Sequence, residues 1–133
     1  MNPRPLYLDS SAVVKLVFEE AETSALEAFL IDRPLRVSSS LVCVEVMRAV
    51  RSVGDGLVSR HAKQVLAALT LIAPDAALLA EAADLDPISL RALDAIHLAT
   101  AVTLVPDLDG IVVYDLRLAD AARQAGLTVW APS

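Results

Sequence analysis

Four carboxylates, Asp9, Glu45, Asp94 and Asp115, stand where the surrounding apolar pattern calls for a hydrophobic or a capping residue. Asp9 ends the run Leu6-Tyr7-Leu8 and Asp115 follows Ile111-Val112-Val113-Tyr114, short aliphatic segments of the kind that form buried parallel strands. Glu45 and Asp94 interrupt apolar helical stretches instead. Ligands of open α/β sheets bind beyond the carboxyl ends of the strands, so acids supplied there by strands and by neighbouring helices can converge. Unit charges about 4 Å apart repel by roughly 4 kcal/mol at an effective dielectric of about 20. A hard divalent cation relieves that repulsion, and carboxylate oxygens are the ligands such cations prefer. With one or two Mg²⁺ ions, such a site supplies what in-line hydrolysis of a phosphodiester needs: an oxygen nucleophile, neutralised phosphate oxygens and a stabilised leaving alkoxide.

Each acid also has a plainer reading. Asp9 and Asp115 both precede helices, where Asp is a preferred N-cap, and capping can coexist with metal binding. Glu45 lies on the stripe Leu41, Glu45, Ala49 and reads equally as a solvated helical glutamate. Asp94 is harder to explain away, because Leu90, Leu93, Ala95, Ile96 and Leu98 leave it little polar surrounding. A lone buried carboxylate costs several kcal/mol unless it is paired or bound to metal, and Arg91, three residues earlier, offers a structural ion pair. His97, one turn after Asp94, has the chemistry of a base or a ligand, but its apolar helix favours a single structural hydrogen bond. Arg48, Arg51, Arg60 and Lys63 gather around Gly54-Asp55-Gly56, either as a solvated helical face or as an arm that guides RNA phosphates.

Strand-like and helix-like patterns alternate along the chain. Strands are expected at Leu6 to Leu8, Leu35 to Ser38, Thr70 to Ile72, Ile111 to Tyr114 and Leu127 to Trp130. Helices are expected from the caps Ser10-Ser11 to Glu19, and at Ala21 to Leu30, Leu41 to Val53, Leu57 to Leu69 and Asp75 to Leu85. Two more should run from a Ser89 cap to Leu104, stopped by Pro106, and from Arg117 to Ala125, closed by Gly126. Repeated β-α units of this kind imply an α/β fold: a five-stranded parallel sheet between helices on both faces, a three-layer α/β/α arrangement.

The bulk properties agree. With 133 residues the chain reads as one domain over 1–133, large enough to need no disulfide or zinc staple. Its one cysteine, Cys43, sits in an apolar stretch and suits a reducing cytosol. The opening Met1-Asn2-Pro3-Arg4-Pro5 is no secretory leader, and no uncharged stretch approaches the ~20 residues of a membrane span. A cytoplasmic location and no membrane partner are therefore expected. A net charge of −6 argues against a general nucleic-acid coat protein but not against a nuclease whose metal ions supply local positive charge.

The segments Asp9-Ser10-Ser11-Ala12-Val13-Val14-Lys15-Leu16, Val44-Glu45-Val46, Leu90-Arg91-Ala92-Leu93-Asp94-Ala95-Ile96-His97-Leu98-Ala99 and Tyr114-Asp115-Leu116-Arg117-Leu118-Ala119 together resemble a PIN-domain ribonuclease. More narrowly, the chain looks like a VapC-type toxin of a bacterial toxin–antitoxin pair. The resemblance spans nearly the whole chain in order and is most specific around Asp94. It implies a PIN-like five-stranded parallel sheet and a Mg²⁺- or Mn²⁺-dependent endoribonuclease. Asp9, Glu45, Asp94 and Asp115 would be its catalytic and metal-binding acids, and Ser11 a hydroxyl near water or phosphate at the metal. Arg48 and Arg51 would then contact the RNA substrate. Val113 departs from the Thr or Ser that the family often has two residues before its last acid.

Other readings of the same pattern fare worse. A phosphoacceptor receiver domain needs an Asp after the third strand and a Lys after the fifth, where this chain has Ala73-Pro74 and Ala131-Pro132. A haloacid-dehalogenase-like phosphohydrolase needs a second Asp where Ser11 stands. The alternative of a different class is a non-catalytic PIN-like binding module whose acidic pocket receives a partner's Arg or Lys. Fifty-six per cent hydrophobic composition, with Ala95 to Val105 apolar nearly all round, suggests apolar surface buried between chains. Resemblance implies a homodimer that also binds a small antitoxin through an amphipathic segment.

Overall fold

A computed structural model describes residues 3–133; Met1 and Asn2, the start of the segment read above as no leader, lie outside the described residues. Five parallel strands form one sheet in the order β3-β2-β1-β4-β5. They are β1 (Leu6–Leu8), β2 (Arg36–Ser39), β3 (Thr70–Ile72), β4 (Gly110–Val112) and β5 (Val129–Trp130). The chain builds outward from β1 through β2 to β3, then returns to the other side of β1 to add β4 and β5. That reversal leaves a crevice between the carboxyl ends of β1 and β4, the place where open α/β sheets bind ligands.

Seven helices connect the strands among the described residues: α1 (Ser10–Val17), α2 (Thr23–Leu30), α3 (Leu41–Val53), α4 (Gly56–Ala67), α5 (Ala76–Ala83), α6 (Ala92–Val102) and α7 (Leu116–Gln124). The alternation along β1 assigns them to layers. Leu6 and Leu8 pack with Ala12, Val13 and Val17 of α1, Leu26 and Leu30 of α2, Val42, Val46 and Val50 of α3, and Ala62 and Leu66 of α4. Tyr7 points to the opposite face, where Leu98 and Ala101 of α6 and Leu118, Ala121 and Ala122 of α7 cover the sheet with Ile111 and Val113. α5 packs outside α6 through Leu78, Ala82, Ala95 and Ala99. The three-layer α/β/α architecture expected from the sequence is the one observed.

Differences are confined to element ends. Ser10 and Ser11 do not cap α1; Asp9 does, its side chain accepting from the Ala12 amide. The helix expected from Ser89 begins at Ala92, after Arg91 in extended conformation. Most of the nearly all-apolar α6 finds its neighbours within the chain, on β2, α5 and α7, while Leu93 in its first turn stays exposed. Other exposed large apolar side chains are Ile88, Leu116, Ile31, Leu57, Val44 and, just beyond α6, Val105.

Gly110, which opens β4 with φ +150°, has the least room of the glycines: a Cβ there would lie 2.6 Å from Trp130 Nε1 and 2.7 Å from the Thr128 carbonyl oxygen. Gly110→Ala should therefore lower the unfolding free energy by at least about 2 kcal/mol in urea titrations, through strain and displacement of β5. Gly56→Ala, at a helical position with nothing within 4 Å, should leave stability unchanged or slightly raised.

Candidate functional site

Asp9, Glu45, Asp94 and Asp115 line one cleft of about 700 Å³, together with Ser11, Lys15, Arg91 and Tyr114. Three of the acids stand at helix N-termini. Asp9 caps α1, Asp115 caps α7 by accepting from the Leu118 amide at 2.9 Å, and Asp94 lies in the first turn of α6. Unpaired amides and the positive end of the macrodipole favour negative charge at such places. Glu45 arrives differently, from the second turn of α3, on a helix whose buried stripe is Val42, Val46 and Val50.

Asp9 is the most deeply placed acid, 2% exposed. Its Oδ1 accepts from the Ala12 amide at 3.0 Å and from the Ser11 hydroxyl at 2.6 Å. The Ser11 oxygen in turn accepts from the Tyr114 amide at 3.0 Å, so one hydroxyl ties the end of β1 to the segment after β4. Ser11 thus orients the acid while it lines the cleft. Burial pushes the Asp9 carboxyl up to about 6, against the lowering effect of those hydrogen bonds. Burial, followed by the charge of Asp115, also raises Asp94. Arg91 forms no ion pair with Asp94 within 4.0 Å among the described residues, so the structural pairing weighed for Asp94 is not what holds it.

Glu45 is held by the residue expected to make a single structural hydrogen bond. His97, fully buried, makes two: Nε2 to Glu45 Oε1 at 2.7 Å and Nδ1 to the Tyr7 hydroxyl at 2.8 Å. The cations of the cleft also differ from those singled out in the sequence. Lys15 follows Ser11 by one helical turn on the same face of α1, lies 4.8 Å from the Tyr114 ring centroid and pairs with Glu22 at 2.8 Å and Glu20 at 3.7 Å. The i, i+4 spacing from Ser11 was the available signal for Lys15. Arg48 and Arg51 are exposed on α3 and do not line the acidic cleft; Arg51 borders a separate depression at the Gly54-Asp55-Gly56 turn. A further groove of about 730 Å³, lined by side chains including Leu30, Ile31, Val65 and Leu69, lies on the other side of α1 and contains no cluster of acids.

The donor set suits a hard cation, because every candidate ligand is a carboxylate oxygen. No three His, Cys, Asp or Glu side chains among the described residues are gathered closely enough to enclose an ion by themselves. A cation such as Mg²⁺, which keeps several waters, needs only one or two protein carboxylates together with substrate phosphate oxygens.

The chain belongs to the PIN-domain family, whose model matches residues 6–124. It is 47% identical to Ribonuclease VapC46 of Mycobacterium tuberculosis (strain ATCC 25618 / H37Rv), over 96% of this chain and 98% of that protein. It is 45% identical to Ribonuclease VapC35 of the same organism and strain, over 96% of each chain. Ribonuclease VapC47 of the CDC 1551 / Oshkosh strain is 33% identical, again over 96% of each.

The Asp9 environment sets a pH dependence whose sign is fixed. A carboxyl raised from 3.8 to about 6 on folding binds protons more tightly in the native state. Its contribution to stability is complete below about 4 and is lost as pH rises through about 6, a loss of about 3 kcal/mol. Asn keeps the Oδ1 acceptor of the cap and removes the charge. Without divalent cations, Asp9→Asn should therefore gain stability over wild type at pH 7.5, and the gain should shrink toward pH 4.5, as read by urea unfolding at the two pH values. A difference independent of pH would show that Asp9 is not held in an unfavourable charged state.

Proposed function

We propose that this protein is a metal-dependent endoribonuclease acting as the toxin of a toxin–antitoxin pair, with Asp9, Glu45, Asp94 and Asp115 as its catalytic acids. The observation that carries the assignment of the site is the meeting of four sequence-distant carboxylates in one cleft at the β1–β4 reversal. The activity is that of the family: a PIN domain with ribonuclease relatives matching along almost its full length. This favours the enzyme over a non-catalytic binding module.

Asp9 and Asp94 would hold the cation, Mg²⁺ or Mn²⁺, with Glu45 and Asp115 completing its surroundings directly or through water. When bound, the ion neutralises phosphate oxygens and lowers the pKa of a water nucleophile. The chain's own groups do the positioning. Ser11 and the Ala12 amide fix the rotamer of Asp9, so its carboxylate meets the substrate side of the cleft without reorganisation. Lys15 and Arg91 give the acidic cleft a cationic rim on which phosphates flanking the scissile bond can rest. Arg48, one turn beyond Glu45 on α3, and Arg51 extend that path for RNA outside the cleft. With so few aromatic residues, 4% of the chain, stacking on bases has a small part and selectivity comes from RNA shape.

The apolar groove beside α1 suits the amphipathic segment of a small antitoxin. Leu16 lines that groove and Lys15 the acidic cleft, so a cationic side chain on a bound segment has a short path over α1 to the acids. Exposed Ile88 and Leu116 favour association of two copies. A cytoplasmic setting is consistent with the absence, among the described residues, of any helix long and apolar enough to cross a membrane.

The purified chain should cut structured RNA with Mg²⁺ or Mn²⁺, and Asp9→Asn or Asp94→Asn should lower the rate at least ~100-fold. Cleavage that persists in excess EDTA would sink the metal-dependent reading. Light scattering at micromolar concentration should give about twice the 14.1 kDa monomer mass, and a mass equal to the monomer would defeat the homodimer while leaving the nuclease intact.

A further inference from the structure

The buried hydrogen bonds behind Glu45 run in one direction. The Ser39 amide of β2 has only a proton to give, and it donates to the Tyr7 hydroxyl oxygen at 3.1 Å. The single proton of that hydroxyl is then available for His97 Nδ1, 2.8 Å away. An Nδ1 that accepts leaves a neutral imidazole with its proton on Nε2, facing Glu45 Oε1 at 2.7 Å. A carboxylate is acceptor-only when ionised, so the Glu45 end calls for a proton on Nε2, and the Tyr7 end accommodates the same tautomer. Tyr7 and His97 are both fully buried, and no buried side-chain nitrogen or oxygen among the described residues lacks a partner. Burial pushes the Tyr7 phenol far above its ordinary range, which keeps it a proton donor.

We propose that Tyr7 and His97 are positioning residues which, through the Nε2–H tautomer of His97, hold the Glu45 carboxylate in the orientation that receives a divalent cation. This rests on the metal-dependent reading of the cleft. The bond joins helices of the two opposite layers, α6 and α3, so it also sets the separation between Glu45 and Asp94, which lies one turn before His97. Glu45 has no ion pair with Lys or Arg among the described residues, and His97 is the side chain bonded to its carboxylate.

Three measurements on the full chain test the proposal. Long-range ¹H–¹⁵N correlation of the imidazole in the wild type, without metal, should show His97 protonated at Nε2 and bare at Nδ1; a proton on Nδ1 overturns the proposal without any substitution. Calorimetric titration with Mn²⁺ should show a dissociation constant raised roughly 10- to 100-fold in His97→Leu, the range in which partners of ligating groups act. His97→Gln keeps an N–H aimed at Glu45 and should bind Mn²⁺ to within a few-fold of wild type. A folded His97→Leu that binds Mn²⁺ as tightly as wild type overturns the proposal while leaving the nuclease reading in place. A wild type that neither binds Mn²⁺ nor cuts RNA removes the nuclease reading and with it the role of Glu45 as a ligand. If His97→Leu does not fold, Tyr7→Phe takes its place: it should disperse the tautomer and weaken Mn²⁺ binding, and an unchanged tautomer and affinity overturn the proposal.

Discussion

Negative charge gathered at the carboxyl edge of the sheet is the condition that the rest of the molecule accommodates. Three of the four acids sit at the N-termini of α1, α6 and α7, each able to offset about 0.3–1 kcal/mol of charge. A single close carboxylate pair repels by roughly 4 kcal/mol at an intermediate dielectric. The helix ends therefore soften the repulsion without removing it. Asp9 and Asp94 are raised first by burial, and neighbouring carboxylates add to that rise. A proton or a cation can offset what is left, and in the proposed site a hard cation would do so at neutral pH while leaving the carboxylates ionised.

The topology provides the place for this concentration of charge. Because β1 lies between β2 and β4, its carboxyl end opens onto the crevice where the chain changes direction, and Asp9 follows at once. Ser11 closes the gap between β1 and the segment after β4, and the His97–Glu45 bond links the helical layers on either side of the sheet. Lys15 is nearest in type to a counter-ion, yet its ammonium is paired with Glu20 and Glu22 and stacked on Tyr114. Those contacts keep it at the rim and leave the acids to act together.

Much of this was legible in the residues because it is local. Leu6-Tyr7-Leu8 followed by Asp9 reads as a strand end, Gly54 and Gly126 mark helix ends at positive φ, and Asp94 is conspicuous on an apolar helix. The cap of α1 went to Asp9 rather than to the serines after it, since the residue that ends the strand also begins the helix. What was not legible depends on long-range geometry. His97 and Glu45 are 52 positions apart and Tyr7 and His97 are 90 apart, and no periodicity within one helix reveals a bond between two layers. The cluster Arg48, Arg51, Arg60 and Lys63 drew attention by density, whereas the cleft uses Lys15 and Arg91, each isolated among apolar neighbours. The all-round apolar pattern of Ala95 to Val105 points to spare apolar surface for the same reason: it reports what a helix can bury, not that α5 and α7 already cover most of it.

The four acids are graded by depth, and the gradation divides their work. Asp9 is buried and clamped at one oxygen by two donors, Asp94 and Glu45 are half-buried, and Asp115 is exposed at the start of α7. Desolvation strengthens electrostatic interactions where water is scarce, so in the proposed site the inner acids would have the greatest hold on a small cation. Asp115 lies where water and substrate also compete, and its charge acts on the others mainly by raising Asp94. A cation held by Asp9 and Asp94, as proposed, would leave the Asp115 side of the cleft open to an RNA phosphate passing Lys15 and Arg91. Under that proposal depth would separate metal retention from substrate exchange within one cleft: Asp9 and Glu45 are held by the end of the sheet and the buried Tyr7–His97 pair, while Arg91 and Asp115 stay at the solvent edge.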